Sequence, residues 1–229
     1  QQEGQSLKDL AEALGTFKVS GLMPDISGAN LKVKVTSGVL FSYHSNWGNS
    51  FLDPHKPVEA TFDTGVSDTF RYGIPSGTIT VNQTDLQVAN YAPAGVVTAI
   101  PGATSRVGVH YVWRFPGGNT RLSYGADFFA NVTAAKEELS ESLAAANAPS
   151  SYGQNALLLG AILAERGETD LNNATFVSTN SFGSFSGGVS QAAGGSYLEI
   201  ANNLSDLLDA AVARTNLGLG TAATTASTD

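Results

Sequence analysis

The chain has 229 residues, enough for one large or two small domains, with 42% hydrophobic and only 14% charged residues. Its net charge of −8, with no basic cluster, argues against a phosphate backbone as principal partner. With no cysteine, disulfides, thiolate metal sites and cysteine catalysis are excluded. No run of about 18 apolar residues exists to insert in a membrane as a helix, and the N-terminus lacks a signal-peptide pattern. A charge content well below the roughly 25% of average soluble proteins, with abundant Gly, Ser, Thr, Asn and Ala, suits β-rich extracellular or virion material.

Ser6 to Leu14 reads as a helix, with Ser6 as N-cap, Leu7, Leu10 and Leu14 on one face, and Gly15 as stop. Its three-then-four spacing fits one rung of a three-stranded coiled coil, and equally a terminal helix lying on its own domain. Leu31 to Phe41 alternates, with Leu31, Val33 and Val35 opposite Lys32, Lys34 and Thr36, and so predicts a half-buried strand. Ser37-Gly38 is placed to bulge or bend it before Val39-Leu40-Phe41. An irregular aromatic stretch follows from Tyr43 to His55. Further strands are expected at Val58–Phe62, Thr69–Tyr72, Thr78–Val81, Leu86–Val88, Val96–Ile100 and Val107–Phe115. Gly and Pro turns separate them, which suggests a β-sandwich.

The pattern changes after Tyr124-Gly125. Val132 to Ala146 predicts a helix, with Val132, Ala135, Leu139, Leu143 and Ala146 inward, Lys136, Glu137, Glu138 and Glu141 outward, and Pro149 beyond its end. Ala156 to Glu165 is continuously apolar and fits either a helix or a buried strand with a bulge at Gly160. Asn180 to Ser196 is Gly/Ser-rich and reads as a loop or linker. No tandem repeat of about 20–50 residues is present, so a solenoid or propeller is not expected.

The segment from Asn202 to Ala223 is a short amphipathic helix with both ends marked. Asn203 caps the first turn and Asp206 sets negative charge near the positive helix end. Leu204, Leu207, Leu208 and Ala211 share a face, Arg214 falls in the last turn, and Gly218 stops the helix. A helix this short is marginal alone, so its Leu face needs a partner.

This segment closely resembles one that recurs in the tail fibres of tailed bacteriophages, where the partners are the same helix of two other chains. Three further stretches resemble a module of the same family. They are Val109 to Asn119 followed by Leu122-Ser123-Tyr124-Gly125; the helix from Thr133; and Leu157 to Asn172, ending in Glu165-Arg166-Gly167-Glu168-Thr169-Asp170-Leu171-Asn172, with Phe176 to Phe182 continuing the pattern. Together they cover roughly half the chain. The resemblance implies a strand at Ala156–Glu165 and a homotrimer with no catalytic residues to carry over. Its trimer contacts would be Leu204, Leu207, Leu208 and Ala211, and then Leu7, Leu10 and Leu14.

Candidate chemistry is weighed against ordinary packing. His44, His55 and His110 are the only histidines. Asp53-x-His55 is at most half a metal site, and His110, in an alternating strand, is expected to face outward. The Gly-x-Ser-x-Gly elbow is absent, and Ser181 to Ser184 does not replace it. Asp53, Glu59, Asp63, Asp68 and Asp85 suit a paired-carboxylate depolymerase by residue type alone. Among Tyr43, Trp47, Phe51, Tyr72, Tyr91 and Trp113, core packing is the usual role. Trp47, flanked by Ser45, Asn46, Gly48 and Asn49, is the candidate for an exposed contact to glycan. Gly117-Gly118 reads as a turn and not as a phosphate cradle.

The expected protein is therefore mainly β with short helices, a non-enzymatic trimeric tail-fibre component needing no cofactor or metal. Its parts are an N-terminal helix or anchor (1–20), a β-rich sandwich-like domain (21–125), a small α+β module (126–182), a Gly/Ser-rich linker (183–201) and a trimerising helix leading to a further fibre segment (202–229). It would be made in the host cytoplasm as part of a longer polypeptide and sit in the virion. It would link baseplate or other tail proteins to a distal receptor-binding tip beyond Asp229, without binding nucleic acid or inserting in a membrane. Two alternatives stand beside it: a carbohydrate-binding module that grips host surface glycan through Trp47, and a polysaccharide-cleaving fibre.

Overall fold

The computed structural model describes residues 9, 15–28, 30–43, 55–74, 82–141, 152 and 156–181. The chain divides into two compact units, Gln1–Val189 and Ser190–Asp229, and all described residues belong to the first. That unit is mainly β, with one α-helix among the described residues.

The strands in chain order are β1 (Phe17–Gly21), β2 (Pro24–Ile26), β3 (Val33–Val35), β4 (Gly38–Phe41), β5 (Val58–Glu59), β6 (Phe62–Asp63), β7 (Arg71–Gly73), β8 (Asn90–Tyr91), β9 (Thr98–Ala99), β10 (Val107–Arg114), β11 (Thr120–Phe129), β12 (Leu157–Glu165) and β13 (Thr175–Ser178). Helix α1 (Val132–Glu141) lies between β11 and β12. The largest sheet has the order β13-β12-β10-β11-β7. Its pairs are antiparallel except β7–β11, which is parallel. Two three-stranded sheets, β1-β4-β5 and β2-β3-β6, and the β8-β9 pair complete the set.

The five-stranded sheet is buried on both faces. On one face Val112, Leu122, Tyr124, Leu159 and Ile162 join Leu22, Val33, Val35, Phe62 and Tyr72. On the other, Val109, Tyr111, Trp113, Leu158, Ala161 and Leu163 join Ala135 and Leu139 of α1. Every residue of β10 is consequently buried, because a central strand covered on both sides has no solvent face.

The same two-sided burial accounts for the unbroken apolar run of β12, which is a strand and not a helix. Val112 pairs with Gly160 and Trp113 with Leu158, so Leu159 is the extra residue of a bulge. The bulge resets the alternation: Leu158 and Ala161, three apart, face the α1 side together. Gly160 is required there, because a Cβ would overlap the Val177 carbonyl oxygen of β13.

The Leu31–Phe41 stretch is two strands in two sheets, broken at Thr36-Ser37. Leu86 and Val88 are buried, but Leu86–Val88 is not a strand, since Leu86 bonds singly to the Leu31 carbonyl and no ladder follows. Helix α1 starts where Asn131 accepts the Ala134 N–H at 2.9 Å, a side-chain N-cap. The boundary drawn at residue 125 falls inside β11, which runs continuously across it. Thr78–Val81, Leu143, Ala146, most of Ser6–Leu14 and the whole of 183–229 lie outside the described residues.

Candidate functional site

A buried ion pair organises one end of the sheet. Arg114 ends β10 and Glu59 ends β5, and their side chains are 2% and 3% exposed. Arg114 Nη2 donates to Glu59 Oε2 at 2.9 Å and to the Ala60 carbonyl at 3.1 Å. Arg114 Nη1 donates to Thr120 Oγ1 at 2.7 Å. The other carboxylate oxygen of Glu59 accepts the Gly117 N–H at 3.1 Å. Charges this buried persist only when so bonded. The pair therefore ties β5 to both strands and the turn of the β10–β11 hairpin. Gly117 and Gly118 of that turn have φ of 96° and 95°, where a side chain would be strained.

Beside this clamp lies a polar pocket of about 310 Å³ lined by Thr69, Arg71, Asn82, Asn119, Thr120 and Arg121. Arg71 of β7 and Arg121 of β11 are register partners on adjacent parallel strands. Arg71 Nε donates to Asn82 Oδ1 at 2.8 Å. The Arg121 guanidinium lies 4.7 Å from the Phe115 ring centroid and 5.5 Å from that of Tyr152. Sequence inspection did not single out either arginine. They lie 50 positions apart and meet only through a parallel pairing that no local pattern announces.

His110 is a correction. Expected to face outward, it is fully buried between Tyr72 and Tyr124, with ring centroids 5.9 Å and 5.8 Å away. The alternation that predicted exposure holds only for a strand with a wet face, and β10 has none. Tyr72 Oη accepts the Gln87 N–H at 3.0 Å and lies 3.3 Å from His110 Nδ1. His110 Nε2, on the other side of the ring, is buried without a hydrogen-bond partner. Burial pushes the His110 pKa down to about 3.

The Arg-Gly turn singled out after β12 has structural roles. Arg166 donates to the Gly102 carbonyl and Gly167 to that of Thr104. Asp170 accepts the Asn172 N–H at 2.9 Å, and Leu171 is fully buried in the core. A second pocket, about 360 Å³, opens here between Thr104 and Glu168. Burial, together with the charges of Glu165 and Asp170, pushes the Glu168 carboxyl up to about 7 against a backbone hydrogen bond that lowers it. Among the described residues no group of three or more His, Cys, Asp or Glu could hold a metal ion.

The described carboxylates of the candidate depolymerase set all have structural partners. Glu59 is in the clamp. Asp63 Oδ1 accepts from Ser27 and from the Gly65 N–H, Asp68 accepts the Asp63 N–H, and Asp85 pairs with Lys32 at 3.0 Å. Tyr72 and Trp113 are core residues, and Trp113 Nε1 donates to Ser123 Oγ at 2.9 Å. Tyr91 packs edge-on against Phe128, and Tyr43 stacks on His55. Trp47, His44, Phe51, Asp53 and the seven candidate trimer contacts (Leu7, Leu10, Leu14, Leu204, Leu207, Leu208 and Ala211) lie outside the described residues. No helix among the described residues is long and apolar enough to cross a membrane.

Compared with known proteins, the chain matches no family model, no curated protein and no solved structure.

Proposed function

We propose that the chain is a structural component of a bacteriophage tail fibre. It forms a homotrimeric shaft, with a β-sandwich-like region and a small α+β module, that links baseplate to the receptor-binding part. It works mechanically and not as an enzyme. The observation that carries this reading is the Asn202–Ala223 segment, whose capped, Leu-faced sequence pattern requires a partner and closely resembles the tail-fibre segment. The order β10, β11, α1, β12, β13 adds support, since it follows the strand–turn–helix–strand order of the module that the middle of the chain resembles.

In such a trimer Leu204, Leu207, Leu208 and Ala211 set the register around a shared axis. Leu207→Asp would bring three carboxylates to that axis, where unpaired charge is costly to bury. The expected outcome is loss of the trimer by light scattering, with the circular dichroism of the β region kept. A trimer that persists unchanged contradicts the assignment.

A further inference from the structure

The polar pocket at the β7 edge has an imbalance of charge. Arg71 and Arg121 are paired directly across parallel strands about 4.8 Å apart. Like charges so placed repel. The chain has 20 acidic residues to 12 basic ones, yet no salt bridge among the described residues joins a carboxylate to either arginine. The remaining lining is neutral and polar, with two amides and two hydroxyls.

Both guanidinium groups are held in advance. The Asn82 carbonyl oxygen fixes the Nε of Arg71 and leaves its Nη donors. The Arg121 guanidinium is held over the Phe115 and Tyr152 rings. Arg71 and Arg121, as register partners, share one sheet face, and Thr69 and Asn119, each two residues ahead of an arginine and just before β7 and β11, line the same pocket. The clamp of Glu59 and Arg114 fixes the turn that carries Asn119. Two preset arginine forks suit one oxyanion, and the surrounding amides and hydroxyl suit the hydroxyls of a sugar ring. The volume lies at the small end of ligand pockets, which run from about 300 to 1,000 Å³. Among the described residues, no apolar side chain lines it to receive a nucleobase or a hydrophobic peptide side chain.

We propose that this pocket binds an acidic saccharide, with its carboxylate or phosphate between Arg71 and Arg121 and its hydroxyls on Asn82, Asn119 and Thr69. The pocket lies wholly in the first unit and binds whether or not the chain is trimeric.

The test is calorimetric titration of the full chain with glucuronic acid, glucose 6-phosphate, glucose and inorganic phosphate. One or both acidic sugars should bind at least about tenfold more tightly than glucose and than inorganic phosphate. The tighter of the two identifies the head group as planar or tetrahedral. Arg71 is exposed, so Arg71→Ala should fold normally and weaken acidic-sugar binding about tenfold or more. Arg71→Lys, which keeps the charge but loses the fork, should fall between. Added salt should weaken binding. Equal binding of glucose, equal binding of inorganic phosphate, or an unaffected Arg71→Ala would overturn the proposal. So would a lower solution mass for Arg71→Ala, since the arginines would then face a carboxylate of another copy of the chain.

Discussion

The side chains with most at stake are Glu59, Arg114 and His110, each buried and polar. Removing one partner of a buried ion pair leaves the other charged and unpaired, which costs about 3–5 kcal/mol. Glu59→Ala should therefore lower the unfolding free energy measured by urea denaturation by that much, because Arg114 keeps its charge and already has an unpartnered Nε. A loss under about 1 kcal/mol, as for a surface pair, would contradict the clamp. His110 acts through pH. Its pKa falls from the ordinary 6.5 to about 3 on folding, so its contribution is complete above pH 6.5 and is lost as pH falls toward 3. Measured against His110→Leu, the wild type should lose up to about 1.4 kcal/mol per pH unit across that window. Parallel pH profiles would show that His110 takes up its proton without unfolding. The burial of His110 was not legible in the sequence, because period-two alternation tells inside from outside only where one face of the sheet is wet. Nor was the ion pair, since nothing near Glu59 or Arg114 marks two residues so far apart as partners.

Among the elements, β12 shows what local sequence leaves open and what packing decides. Leu157 to Glu165 has no periodicity because both its faces are buried, and its propensity alone fits a helix. The strand is selected by β10 on one side and β13 on the other. Gly160 is the legible mark within it, and its bulge is what keeps Leu158 and Ala161 on one face. Gly160→Ala would press a methyl group against the β13 backbone, and such overpacking costs about 1–3 kcal/mol. The expected result is a lower unfolding midpoint, with faster hydrogen exchange at the Val177 and Thr179 amides. Unchanged exchange there would contradict the close approach. The break at Thr36-Ser37, one residue before the expected bend at Ser37-Gly38, was also legible, in the glycine and the lost alternation. The assignment of β3 and β4 to separate sheets was not, because it depends on partners β6 and β5 further along the chain. Helix α1 was readable from Val132, Ala135 and Leu139, since only one of its faces meets the sheet.

At the scale of the whole molecule, the described unit is a mainly β body whose central sheet is covered on both sides. In the proposed trimer, the Leu face expected at residues 204–211 would be covered by equivalent copies of itself from two other chains. The central claim is assembly, and sedimentation combined with light scattering on the full chain tests it most directly. The account predicts the mass of three 23.7-kDa chains, independent of concentration across the micromolar range. A single species with the mass of one chain at every concentration would contradict it.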